Sequence, residues 1–344
     1  PYDDISAGDL LANLVTDATR HATNADISFT CNALMRTGLN RGKTGVQTVY
    51  DVYAVASIGT GVVDPTAGRI AGEEAEILFA ALDEALQLVL HACHLDYSLP
   101  ADYLDCRITQ SEKDAILSLL EERIESRVPA PYLTGKSWFA GLEFDITRDV
   151  LVPRSPFAEL ILDHFDPWVD DDRVGSILDL CTGSGCIGIA AAVQFPGAEV
   201  DLVDISPEAL QVARRNVEKH HLEERVTIIH SDLFDQVPGD RTYDLILSNP
   251  PYVSRDEYNS LPQEYRHEPR IGLEAGEDGM DIVARILEQA GSYLAPGGIM
   301  IVEVGASAEL LLERFSGYPF TWLDFEHGGD GVFLLTREQL IENR

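Results

Sequence analysis

Residues 243–252 read Tyr-Asp-Leu-Ile-Leu-Ser-Asn-Pro-Pro-Tyr. The apolar run Leu245 to Leu247 has the makings of a strand, and it leads straight into Asn249, Pro250, Pro251 and Tyr252. Two consecutive prolines remove two backbone donors and hold φ near about −65°, so a sheet ladder must end there. A residue before proline is pushed toward extended conformations. Asn249 therefore closes the strand, with its amide side chain and the Pro250 carbonyl facing outward. The carboxyl ends of strands are where an open α/β sheet binds its ligands.

Outward from that turn, a second strand at Ser176 to Leu180 carries Asp179 and runs into Cys181, Thr182, Gly183, Ser184, Gly185, Cys186, Ile187 and Gly188. The last six satisfy Gly-x-Gly-x-x-Gly, and Asp204 lies 21 residues beyond Gly183 at the end of the next strand. Glycines let a backbone approach a ligand, a helix amino end favours its negative group, and the carboxylate takes ribose hydroxyls. A dinucleotide satisfies such a turn, and so does S-adenosylmethionine, which offers a carboxylate and a ribose. Asp179 favours the second, since it could meet an ammonium and would be repelled by a pyrophosphate. Asp232 and Leu233, after the third strand, fall where an adenine would rest, one accepting from its amine and the other covering a ring face.

The remaining pattern agrees with an α/β sheet. Strands are expected at 176–181, 198–204, 225–230, 243–248, 298–304, 319–326 and 332–336, with helices at 185–195, 207–220, 279–295 and 306–315. Alternation of strand and helix implies parallel pairing with right-handed crossovers. The last two strands, joined through His327 to Gly331, read as a hairpin and so add an antiparallel edge. That suits the seven-stranded, Rossmann-like methyltransferase sheet.

Two domains joined by a linker are expected: 1–128 mostly helical, 129–154 a β-hairpin linker, and 155–344 the α/β domain. In the first, Ser6-x-x-Asp9 opens a helix carrying Leu10, Leu11, Leu14, Val15 and Ala18, and a short helix covers Phe29 to Met35. Residues 39–45 have the wrong glycine spacing for a phosphate loop, and Gly59 to Gly72 reads as a glycine-rich connection. A long helix follows from Glu73 to Leu95. Thr109-x-x-Glu112 then caps a helix with Ile116, Leu117, Leu120 and Ile124 on one face, and Pro129 and Pro131 stop it.

With 344 residues and 45% hydrophobic content the chain has material for two full cores. No apolar run reaches the ~18 residues of a membrane span and no basic-then-apolar leader opens the chain, so a cytoplasmic protein without membrane partners is expected. The chain begins at Pro1 without a Met, which reads as a processed or recombinant end. Five cysteines (Cys31, Cys93, Cys106, Cys181 and Cys186) contain no Cys-x-x-Cys, which fits reduced thiols and no metal site. The net charge is −33, with lysine only at 43, 113, 136 and 219. Such a surface suits either a high-salt habitat or a basic protein partner, and both weigh against a nucleic-acid binder.

Together, Asp179-x-Cys-x-Gly-x-Gly, Val203-Asp204-Ile205-Ser206, Ser231-Asp232-Leu233-Phe234 and Asn249-Pro-Pro-Tyr252 resemble the protein-(glutamine-N5) methyltransferases of the HemK/PrmC type, which act on translation proteins. Tyr132-Leu-Thr-Gly135, Phe139-x-Gly141 and Val150 to Arg154 belong to the same likeness. Ser155-Pro156, Glu264 to Pro269, Phe320 to Glu326 and Gly328 to Phe333 point to the branch that modifies large-subunit ribosomal protein L3. The likeness runs from Leu82 to the end of the chain. It implies S-adenosylmethionine as cofactor, held by Asp179, Cys181, Thr182, Gly183, Ser184, Gly185, Asp204, Ile205, Asp232, Leu233 and Asn249. It also implies Asn249, Pro250 and Tyr252 as the catalytic group, with Pro251, Glu268 and Pro269 completing the substrate site. The amino-terminal domain would recognise the substrate, ribosomal protein L3 or, as the alternative, a peptide-chain release factor.

An amide nitrogen is a poor nucleophile because its lone pair is shared with the carbonyl. Asn249 and Pro250 offer two acceptors that could fix its two N–H groups. An adenine amino group presents the same planar pair of donors, so the turn alone leaves an N6-adenine methyltransferase open. The acidic charge and missing basic groove speak against DNA as partner. A nicotinamide dehydrogenase would leave Asn249 to Tyr252 without a role. A non-catalytic, cofactor-binding ribosome-assembly factor would tolerate loss of Asn249.

Overall fold

The computed structural model describes residues 63–64, 68–69, 84–95, 108–325 and 329–343. The helices expected after Ser6 and at Phe29 to Met35, the loop 39–45 and the start of the helix at Glu73 lie outside them. The chain divides into two compact units, Pro1–Thr134 and Gly135–Arg344. No helix among the described residues is long and apolar enough to cross a membrane.

In the first unit, β1 (Val63–Asp64) pairs antiparallel with β2 (Gly68–Arg69) inside the expected glycine-rich connection. Helix α1 spans 84–92. Helix α2 (Gln110–Ser126) starts at the Thr109–Glu112 capping box and ends at Arg127, whose φ of 59° puts it in the left-handed region. Ile116 and Leu120 bury against Ala85, Leu88, Val89 and Ala92 of α1, and Ala130 opens the short α3 (Ala130–Thr134) in the same cluster. Leu117 and Ile124, expected on the buried face, are exposed instead. The buried stripe follows 116 and 120, four residues apart, and the other two lie beside it.

The second unit opens with a hairpin. Strands β3 (Lys136–Phe139) and β4 (Leu142–Asp145) are joined by Ala140 and Gly141, both at positive φ, 48° and 76°. That is the turn whose twist matches paired strands. Helix α4 (Phe157–Leu162) leads to β5 (Ser176–Leu180), α5 (Cys186–Gln194), β6 (Glu199–Asp204), α6 (Pro207–Lys219) and β7 (Val226–His230). Then come β8 (Tyr243–Ser248), α7 (Arg255–Ser260), α8 (Asp281–Gln289), β9 (Leu294–Glu303), α9 (Ala308–Arg314), β10 (Thr321–Trp322), β11 (Val332–Thr336) and α10 (Arg337–Glu342).

The seven strands run in the order β10-β11-β9-β8-β5-β6-β7. Five are parallel, and β11 is antiparallel to both neighbours. The terminal hairpin thus places its antiparallel strand one position in from the edge, and the edge is the two-residue β10. Of the expected strand 319–326, the described residues 319–325 form only that pair, within an aromatic row in which Tyr318 stacks on Phe320 and Phe320 and Trp322 pack edge-on against Phe333. The expected helix 279–295 stops at Gln289. It gives way to a tight turn at Ala290–Ser292, where Gly291 lies against Leu340. One face of the sheet is sealed by Leu178, Leu180, Ile246, Met300, Val302 and Phe333 packed with Val283, Ile286 and Leu287 of α8.

Several polar side chains tie the hairpin to the sheet domain, Lys219 and His220 among them, and one of these is buried. Asn216 on α6 is fully buried; its Nδ2 donates to Asp145 O (3.1 Å) and Ser184 O (2.9 Å), and its Oδ1 accepts from Asp145 N (2.7 Å). Replacing it with alanine strands three backbone groups at once. Asn216→Ala is expected to lower unfolding free energy by roughly 2–4 kcal/mol, given about 1–3 kcal/mol per unsatisfied buried group. Urea denaturation of the two proteins checks it.

Candidate functional site

The register of the sheet builds the site. Leu180 pairs with Val203 on one side and Ser248 on the other, and Ser248 pairs with Val302. The next residue on each strand is therefore Asp204, Cys181, Asn249 and Glu303, in one row at the carboxyl ends of four adjacent parallel strands. After β7 the chain returns to the other side of β5, so the row spans the topological switch point where a crevice opens. A cavity of ≈ 400 Å³ lies there.

Behind Cys181, the chain must reverse from strand to helix within a few residues. Cys181, Gly183 and Gly185 take positive φ values of 58°, 55° and 83°. A Cβ on Gly185 would meet Ile189 at 2.9 Å, so only glycine fits that turn. Gly183 lines the cavity, and a Cβ built on it meets nothing within 4 Å. The space beside its backbone thus opens to the cavity and is free of packed side chains.

Asp179 is fully buried and anchors this turn from beneath. Its Oδ2 accepts from Thr182 Oγ1 (2.5 Å) and Gly188 N (2.9 Å). Gly188 is glycine because a Cβ would lie 2.9 Å from the same carboxylate and 2.2 Å from Leu202. Asp179 Oδ1 is buried without a partner. Burial, opposed by those two bonds and reinforced by nearby Asp204, raises its pKa to about 7. Burial also lifts Cys186 to about 12 and Cys181 higher still, so both thiols stay protonated.

Asp204 reaches over the turn. Its Oδ2 accepts from Gly183 N and its Oδ1 from Ser206 N, each at 2.9 Å. Burial raises its pKa against those bonds. Each oxygen keeps a second lone pair for a ligand hydroxyl. Asp232 lines the cavity, with its Oδ1 bonded to Arg285 Nη1 at 2.8 Å. Leu233, beside it, is buried with φ 50°.

On the far side, Asn249, Pro250, Pro251 and Tyr252 line the same cavity. Tyr252 Oη donates to Glu303 Oε1 (3.2 Å), and burial beside that carboxylate pushes the phenol pKa well above its usual range. Two further stretches complete the lining: Val152 to Ser155, which follows the hairpin, and Pro269 with Ile271 to Glu274, which follows the Asn-Pro-Pro-Tyr turn.

The structure brings Cys181, Thr182, Gly183, Ser184, Asp204, Ile205, Asp232, Leu233, Asn249 to Tyr252 and Pro269 onto one cavity wall. Asp179, Gly185 and Glu268 are not on it. Asp179 faces the turn, where an ammonium contact was expected. Glu268 is buried as a clasp, its oxygens accepting from Val152 N (3.1 Å) and Arg154 Nη1 (2.7 Å), while the Arg154 guanidinium lies 4.8 Å above the Tyr265 ring. Sequence reasoning missed Arg285 and Glu303, both on the wall. Glu303 had one legible signal, an acid closing the apolar run Ile299 to Val302. Arg285 had none, because its partner Asp232 is 53 residues away.

Asp179 sets a pH dependence. Its folded pKa lies above the unfolded value, so the folded state holds the extra proton and stability falls as pH rises from about 4 through 7. Asp179→Asn has no proton to lose. The decline in its Tm between about pH 5 and 8 is expected to be shallower than the parent's in paired thermal scans.

Comparison with known proteins adds to this geometry. Residues 157–264 match the family model of the methyltransferase small domain. The ribosomal protein uL3 glutamine methyltransferase of Francisella tularensis is 49% identical over 261 residues, covering 76% of this chain and 83% of that protein. Its counterpart in Xanthomonas campestris is 48% identical over 261 residues, with 76% and 84% covered. That of Bordetella pertussis is 43% identical over 305 residues, with 88% and 99% covered.

Proposed function

Because the chain belongs to the family of ribosomal protein uL3 glutamine methyltransferases, we propose that it transfers a methyl group from S-adenosylmethionine to a glutamine side-chain nitrogen of uL3. The observation that carries this reading is Asn249 standing in the same row as the glycine turn and Asp204, on the wall of one cavity. The cavity fits the cofactor: the open space at Gly183 lets a ligand lie close against the backbone, and Asp204 keeps lone pairs for two ribose hydroxyls. Cys181 to Ser184, Asp204, Ile205, Asp232 and Leu233 would hold it, with Asp179 bracing the turn. When bound, S-adenosylmethionine supplies an electrophilic methyl on a sulfonium.

The protein's own part is positioning. No side-chain hydrogen bond within the described residues engages Asn249, so its oxygen is available to accept one N–H of the substrate amide, and the Pro250 carbonyl accepts the other. Two such bonds orient the nitrogen's face and block rotation. Positioning of this kind supplies up to roughly 7–11 kcal/mol in well-oriented systems. Both bonds strengthen as the nitrogen gains positive charge, which favours the transition state over the ground state. Tyr252 covers the amide and excludes water, and Pro251, Pro269 and the clasped segment behind Glu268 shape the entrance. The amide proton becomes acidic only after transfer, so no base is required beforehand. The unit Pro1–Thr134 serves substrate recognition, and the work is done in the cytoplasm, where ribosomal proteins are made.

Asn249→Ala is expected to lower kcat/KM by about 10²–10³-fold, the scale seen when one pre-set polar group at a reacting atom is removed. Labelled cofactor offered with purified uL3, release factor and DNA side by side tests the substrate. Label enters uL3; label in the release factor alone would replace the substrate, and label in DNA alone would overturn a protein substrate.

A further inference from the structure

We infer that Glu303 is a positioning residue for the transfer, acting through the hydroxyl of Tyr252, and that Ser155 fixes the Glu303 carboxylate from the opposite side. This rests on the reading of the Asn-Pro-Pro-Tyr turn given above. Tyr252 Oη donates to Glu303 Oε1 at 3.2 Å, and Ser155 Oγ donates to Glu303 Oε2 at 2.5 Å. The serine hydroxyl is itself aimed, because its oxygen accepts from Phe157 N at 3.2 Å and its proton must point elsewhere. Both carboxylate oxygens of a buried side chain are thus committed to hydroxyls from two separate segments.

The Tyr252 ring and backbone are held by further contacts. Gly305 lets the ring approach, since a Cβ there would lie 3.0 Å from the phenol oxygen. Ser307 Oγ donates to the Tyr252 carbonyl at 3.0 Å, and a Cβ on Gly279 would strike that carbonyl at 2.3 Å. Burying a carboxylate is costly unless hydrogen bonds compensate it, and a strand needs no acid to end. Here the buried acid does one identifiable thing: it fixes the torsion of the Tyr252 hydroxyl and with it the tilt of the ring facing the amide. Ser155 ties that tilt to the wall segment, which Arg154 and Glu268 anchor one residue away.

The test is steady-state methylation of uL3 by the full-length protein, with cofactor affinity measured separately by calorimetry. Tyr252→Phe and Glu303→Ala are each expected to lower kcat about tenfold, the worth of one buried hydrogen bond. The double variant should be no slower than either single one, since both remove the same contact. Glu303→Gln should keep kcat within about threefold of the parent, because its amide oxygen still accepts from the phenol. Cofactor affinity should stay unchanged throughout.

Multiplying losses in the double variant, parent-like turnover in Tyr252→Phe, or Glu303→Gln as slow as Glu303→Ala would each overturn the inference, the last by making charge rather than the hydrogen bond the operative feature. Where Glu303→Ala does not fold, Tyr252→Phe and Ser155→Ala decide it: parent-like kcat in either overturns it. A parent protein that leaves uL3 unlabelled is a different result; it overturns the functional reading, and this inference with it.

Discussion

The hydrogen-bond register between β5 and its neighbours is the constraint on which the site depends. Leu180, Val203, Ser248 and Val302 lie in one line across the sheet, so the residues that follow them share one crevice although up to 122 residues of chain separate Cys181 from Glu303. A slip of one residue in any of these ladders would turn the terminal side chain to the opposite face. The register is pinned by burial on both faces: Ile177, Leu178, Leu180, Leu245, Ile246, Leu247, Met300, Ile301 and Val302 are all fully buried. Hydrophobic packing deep in the sheet thereby sets the position of polar groups at its rim.

Four carboxylates then do distinct structural work around that rim. Asp179 braces the glycine turn, Asp204 locks Gly183 to the neighbouring strand, Glu268 clasps the wall segment, and Glu303 holds Tyr252. Each is compensated differently. Glu268 receives a guanidinium and a backbone N–H, Asp204 two backbone N–H groups, and Glu303 two hydroxyls. Asp179 keeps one oxygen without a partner, and it is the one whose pKa rises to about 7. A buried acid with an orphaned oxygen carries a large desolvation cost, which fits the direction of that shift.

Much of this was legible in the chain because it is local. The strand–glycine–helix run at 176–188, the Asn-Pro-Pro-Tyr stop and the capping box at Thr109 depend on neighbours within a few residues, and each forms where the pattern puts it. What sequence could not give is long-range pairing. Nothing about Asn216 in a helix announces that it holds the hairpin 71 residues earlier. Glu268 reads as a loop acid near the substrate until its contact with Val152, 116 residues away, makes it a clasp. Leu117 and Ile124 share a helical period with Ile116 and Leu120, yet only the partner helix decides which stripe is covered.

The net charge of −33 bears on how a substrate finds this site. At about 0.15 M salt the Debye length is about 8 Å, and an acidic surface draws any basic protein from beyond contact distance. At about 1 M salt it falls to about 3 Å, and the same carboxylates steer nothing. The two explanations of the acidity therefore assign discrimination to different places. In dilute salt the surface field contributes to the encounter; in concentrated salt the choice of substrate must rest on short-range contacts alone. The groups that line the cavity for such contacts are Val152 to Ser155, Pro269, Ile271 to Glu274, and the Asn-Pro-Pro-Tyr turn.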